Sequence, residues 1–342
     1  MVANRRDGGL PEGRIVEVFG PPGIGKSHLA IQVARATQQM GGIAVYIDTE
    51  NATSVENLGL LGVDIKQRFV YVDTHCTEEV LSIAEATIMK AKAMNKDVPI
   101  TIIWDSVAAS SPKAELLGDY DKESIGLQAR AISKGMRKIT GVIANQNVLF
   151  LILNQIRTKI GVMYGDPTTT PGGKAIPFHS SVRIKLGAGQ RIENKDKEVI
   201  GIHVSAKTIK NKVSAPFRTC NFEIHFGIGI KEHEQVFDVL RKYGSASVDG
   251  KTITIAGTGA WKTLTVVDDD SKKKLFEKKF YKGDFEEVMN DPEYGPYIDQ
   301  LLHKAMIRES VTAQNIEIDV ESYEEVRSVA MELDEELLDP EA

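Results

Sequence analysis

Gly20-Pro21-Pro22-Gly23-Ile24-Gly25-Lys26-Ser27 satisfies G-x-x-x-x-G-K-[ST] at every defined position. The apolar run 15–19 before it has the pattern of a strand, and a helical pattern follows over 26–39. Strand, loop and helix are the setting in which this octet folds as a phosphate cradle. Gly20, Gly23 and Gly25 let backbone N–H groups converge on phosphate oxygens, and the helix N-terminus adds partial positive charge. Lys26 is placed to reach the β- and γ-phosphates of a nucleoside triphosphate, and the Ser27 hydroxyl to bind Mg²⁺.

Outward from the loop, apolar runs recur at 43–47, 69–72, 100–104 and 148–153, with a helical pattern over 78–93. Near-continuous apolar strands separated by helix-length segments predict a mostly parallel sheet covered on both faces. Asp105 ends the run 100–104, where an acid suits the Mg²⁺ shell; Ser106 follows it. Beyond the run 43–47 stand Asp48 and Glu50, and either acid has the spacing of a water-activating base. Runs at 182–186, 200–206 and 219–225 lie close together and predict hairpins extending the sheet. Segments 112–126 and 156–173 fit no regular pattern. Both begin just after buried strands, where α/β proteins hold ligands.

Composition narrows the class. With 42% hydrophobic and 26% charged residues, the chain has the material for an ordinary globular core. The polar start, with Arg5, Arg6 and Asp7, has no secretory apolar run, and no stretch is long and apolar enough to predict a membrane span. Cys76 and Cys220 alone make neither a disulfide framework nor a zinc site, and a reducing cytoplasm is expected. The net charge of −6 hides an asymmetry, because residues 317–342 carry eleven acids against one base, Arg327. The rest is mildly basic, as suits a phosphate-binding body. The expected organisation is a core over 1–229, a smaller α+β domain over 230–316 and an acidic tail over 317–342.

Taken jointly, Ala44-Val45-Tyr46-Ile47-Asp48-Thr49-Glu50, Trp104-Asp105-Ser106-Val107-Ala108-Ala109, Asn154-Gln155-Ile156-Arg157 and Lys210-Asn211-Lys212-Val213-Ser214-Ala215-Pro216-Phe217 resemble bacterial RecA recombinases in order and spacing. The resemblance runs almost continuously over 8–229. It implies a RecA-like P-loop ATPase core that uses ATP and Mg²⁺, forms filaments on single-stranded DNA, also engages duplex DNA, and drives strand exchange. By that resemblance the whole octet Gly20, Pro21, Pro22, Gly23, Ile24, Gly25, Lys26 and Ser27 holds nucleotide. Glu50 activates water, and Gln155 senses the γ-phosphate. The two unassigned segments become DNA-binding loops: Ile125 wedges between nucleotide triplets, Arg130, Ser133 and Arg137 meet the backbone, and Ile160, Gly172 and Gly173 serve the second loop. Lys210 and Lys212 reach ATP on a neighbouring subunit, and Phe178 stands at the subunit interface.

Departures accompany the resemblance. Asn57 stands where the family stacks a tyrosine on adenine; Thr158, Thr168 and Pro171 replace an apolar residue, an acid and a threonine. The resemblance begins at Gly8, so the family's N-terminal oligomerisation arm is expected to be missing. The lysine-rich stretch 272–282 suits either duplex capture or a solvated face.

Overall fold

The computed structural model describes residues 2–3, 8–119, 126–158, 168–230, 236–237, 239–241 and 244–308. Ile125 and Ile160 lie outside them, as does the acidic tail. Residues Met1–Ile307 form one compact unit.

Its strands are β1 (Arg14–Gly20), β2 (Ile43–Asp48), β3 (Phe69–Asp73), β4 (Ile100–Asp105), β5 (Val148–Gln155), β6 (Arg157–Thr158), β7 (Thr168–Thr169), β8 (Val182–Glu193), β9 (Val199–Asn211), β10 (Thr219–His225), β11 (Gly229–Ile230), β12 (Ser245–Val248), β13 (Lys251–Ala256), β14 (Trp261–Asp268) and β15 (Lys274–Tyr281). The large sheet has the order β11-β10-β9-β8-β1-β5-β4-β2-β3. From β8 to β3 every pairing is parallel; β9, β10 and β11 extend the sheet antiparallel. The expected hairpins are therefore present, and β8 and β9 run well beyond the apolar runs that signalled them. The extra residues of β8 are mostly exposed, and those of β9 are mostly polar, so they carry little hydrophobic signal.

Both faces of this sheet are covered. Helix α1 (Lys26–Gln39) and the short α2 (Val55–Leu60) pack on one face, where Ala30, Ile31 and Leu58 join Val16, Val18 and Leu151. On the other, α3 (Thr77–Met94) and a later helix, Leu127–Asn145, pack Val80, Ala84, Ile132 and Met136 against Ile15, Ile102 and Phe150. Helix α4 (Lys113–Leu116) is a single turn inside the first unassigned segment, so the Leu127–Asn145 helix is α5. Within the second unassigned segment, β6 and β7 pair antiparallel, a two-residue ladder too short to show periodicity.

The small sheet, β12-β13-β14-β15, is antiparallel and carries its own apolar cluster, including Ile253, Leu264, Val266, Phe280 and Phe285.

Candidate functional site

Strand register assembles the site. Gly20 pairs opposite Gln155, and Asp48 opposite Asp105, so the chemistry-bearing residues lie together at the carboxyl ends of parallel strands. The loop after β1 turns into α1 through Gly25, whose φ of 91° favours glycine; a Cβ there would lie 2.1 Å from Ile224 Cδ1. The α1 N-terminus has no side-chain cap and no acid in its first turn, so its N–H groups are left to an anion.

Lys26 is buried beneath this loop and donates to the carbonyls of Gly20 (3.2 Å) and Pro21 (2.8 Å). Burial lowers its pKa, partly opposed by the charges of Asp105 and Glu50. Asp105, also buried, accepts from Tyr46 Oη at 2.5 Å and from the Ser27 hydroxyl. Burial pushes its carboxyl up, and those two hydrogen bonds hold it back. A hydroxyl beside a carboxylate is the hard-oxygen donor pair that Mg²⁺ takes, with phosphate oxygens completing the shell.

The two acids left open by spacing separate here. Asp48 is buried and accepts from the backbone of Glu50 (2.9 Å) and Thr53 (3.1 Å) and from Tyr71 Oη (3.0 Å); it holds the turn. Glu50 is exposed on the cavity wall, where its Oε1 accepts from Ser106 Oγ and, at 3.0 Å, from Gln155 Nε2.

A cavity of about 500 Å³ opens over these groups. Its lining includes Ala52, Thr53, Asn57 and Leu61 from the chain after β2, and Ile202, Ile224 and Phe226 from β9, β10 and the residue after β10. Phe226 supplies the one phenyl ring of the lining, and sequence reasoning missed it because β9 and β10 reach the site only through sheet pairing.

A second missed group lies under the sheet's centre. Glu17 is fully buried within β1, pairs with Arg183 Nε at 2.5 Å and accepts from Asn154 Nδ2 at 3.1 Å. Asn154 also donates to the Pro171 carbonyl (3.1 Å) and accepts from the Gln155 N–H (3.0 Å). The residue beside Gln155 is thus tied to the end of the second segment, next to Gly172 and Gly173. Both glycines have positive φ, 88° and 73°, and a Cβ on Gly173 would lie 3.2 Å from Ala129 of α5.

Helix α5 buries Ile132, Met136, Ile139 and Ile143 and turns Arg130, Ser133 and Arg137 to its other side. With Lys174 these three line a shallow groove, where Arg137 donates to Ser133 Oγ at 2.9 Å. Lys210 and Lys212 lie at the end of β9 and do not line the nucleotide cavity among the described residues. Lys210 instead caps α6 (Ala175–His179), donating to the carbonyls of Pro177 (2.7 Å) and Phe178 (3.0 Å). The Phe178 ring beside it is 75% exposed.

Strand, glycine loop, uncapped helix and acid-lined cavity define a P-loop nucleotide-binding protein. Residues 4–231 match the family model described as RecA N-terminal domain. The chain is 42% identical over 232 residues to Protein RecA of Acholeplasma laidlawii, covering 68% of each chain. It is 35% identical over 325 residues to that of Macrococcus caseolyticus, covering 92% of this chain and 83% of the relative. With that of Chloroherpeton thalassium it shares 38% identity over 275 residues, 79% of this chain and 75% of the relative. The chain belongs to the RecA family. It is a DNA recombinase of the repair machinery with single-stranded-DNA-dependent ATPase activity. No helix among the described residues is long and apolar enough to cross a membrane, and the two cysteines form no disulfide.

Proposed function

We propose that this chain hydrolyses ATP by in-line attack of water on the γ-phosphate, and that Gln155 carries the nucleotide state to the DNA-gripping segments. The observation that carries this reading is the Gln155–Glu50 hydrogen bond, with Asn154 bonded at the next position to Pro171. Glu50 orients the water and takes its proton as the oxygen bonds to phosphorus; ADP leaves with the electron pair of the broken bond. Lys26 and the α1 N–H groups stabilise charge on the transferring group and the leaving oxygen. Ser27 and Asp105 would hold Mg²⁺, which would supply positive charge against the phosphates. Phe226, among the lining residues, offers the base an aromatic face that Asn57 does not. DNA backbone would lie along Arg130, Ser133 and Arg137 and the N–H groups of Gly172 and Gly173, with Ile125 and Ile160 as apolar contacts. The exposed Phe178 ring and the adjacent Lys210–Lys212 pair support a head-to-tail filament in which these lysines reach the neighbouring subunit's ATP.

The test is ATP turnover with and without single-stranded DNA across a salt series. DNA stimulation that falls steeply with salt is expected; turnover indifferent to DNA would sink the reading. In the same series Arg137→Ala is expected to weaken binding to all sequences alike and to reduce the log–log salt slope by about one. An unchanged slope would remove Arg137 from the DNA face.

Asp105→Asn separates stability from function. Its folded-state pKa is raised, so the ionised carboxylate opposes folding above that value, and the opposition vanishes at pH low enough to protonate both states. The variant is expected to match or exceed the parent's thermal midpoint at neutral pH while losing Mg²⁺-dependent turnover. Full turnover in Asp105→Asn would take Asp105 out of the metal shell.

A further inference from the structure

The small sheet places an aromatic pair on its solvent face. Along β14 and β15, Lys262, Leu264, Val266 and Phe280 are buried, while Trp261, Lys279 and Tyr281 point the other way. Register sets Trp261 opposite Tyr281 and Thr263 opposite Lys279. The two rings meet edge to face with centroids 5.8 Å apart, and the Lys279 ammonium lies 5.4 Å from the Trp261 centroid. Trp261 is 55% exposed and Tyr281 45%. The same sheet packs Phe276 with Tyr294 and Tyr297 on its other side, so an aromatic interior exists and this pair stands outside it.

Lys279 supplies the positive charge on the pair's face, and the acid on that face of β15, Glu277, pairs with Lys274. Residues 272–287 hold six lysines and four acids, with Lys272, Lys273 and Lys274 at the far turn, Lys278 against Tyr294 and Lys282 against Phe237. The aspartates of the β14–β15 turn are bonded within it: Asp268 accepts from Ser271, and Asp269 from Ser247 and Thr252. That turn closes the far end of β14, seven residues and roughly 20 Å along the strand from Trp261. Two exposed rings beside the Lys279 ammonium on an open, threonine-bearing sheet match an unpaired nucleobase and its phosphate. A duplex hides its base faces, so the rings suit an unpaired strand.

We propose that Trp261, Tyr281 and Lys279 form a stacking site for an unpaired DNA base, separate from the α5 face and independent of nucleotide. The inference rests on the family's DNA binding but not on the assignment of Glu50, Lys26 or Gln155.

The full-length chain reports on this directly, because it has two tryptophans and Trp104 is fully buried. In nucleotide-free buffer, oligothymidylate is expected to quench the accessible Trp261 emission. An abasic strand of equal length, with the same phosphates, is expected to leave it unchanged. Trp261→Ala is expected to lose about tenfold in affinity for the oligonucleotide, and Trp261→Phe to recover most of it. Quenching in Lys26→Ala should match the parent, so a failure of the nucleotide reading leaves this signal intact. The proposal is overturned by no quenching with any strand, by equal quenching with the abasic strand, or by equal quenching with closed circular duplex.

Discussion

Glu50→Gln is expected to bind ATP about as tightly as the parent and to hydrolyse it about a hundred- to ten-thousandfold more slowly. The amide has the carboxylate's shape, so the contacts with Ser106 and Gln155 keep a partner of the same size. What it lacks is a site for the water's proton. The ATP state then persists; with Gln155 carrying that state to the DNA-gripping segments, as proposed, dissociation from single-stranded DNA should slow with it. Single-turnover kinetics with labelled ATP, beside DNA off-rates, make the measurement. Parental turnover in this variant would return the water-activating role to an open question, and Asp48 could not inherit it while both its oxygens hold the turn.

Lys26→Ala is expected to lower nucleotide affinity about a hundredfold, the order of effect for removing one member of a desolvated charge pair. Nucleotide-dependent DNA binding should disappear with it. The fold should not suffer. Burial depresses the Lys26 pKa, and a lysine depressed on folding opposes folding while it is charged in both states. That opposition fades as pH rises through the folded-state pKa. The alanine variant should therefore be at least as stable as the parent at neutral pH, with the difference narrowing in strong alkali. Calorimetry across pH, with ATP titrations at neutral pH, checks both halves. A large loss of stability at neutral pH would show that the bonds to the Gly20 and Pro21 carbonyls hold the loop together.

The legible parts of the site were those encoded by neighbours in the chain. Eight consecutive residues from Gly20 to Ser27 carry the cradle, because its geometry is set by local φ, ψ and one helix terminus. The parallel strands were legible because burial on both faces makes each one apolar along its length. Arg130, Ser133 and Arg137 shared a helix face by spacing alone, and α5 places them so. The choice between Asp48 and Glu50 was not available from spacing, since two residues in a turn can swap roles without changing the pattern.

By itself the sequence determined a phosphate loop opening a helix, a mostly parallel sheet and the family to which the chain belongs. Tertiary structure alone decided that Glu50 faces the cavity, that Phe226 lines it, that Glu17 meets Arg183 across 166 positions, and that Trp261 and Tyr281 stand side by side in solvent. The physical reason is range. Turn and helix preferences act over a few residues, whereas strand register brings together groups that no local signal relates, and only the packed sheet fixes that register.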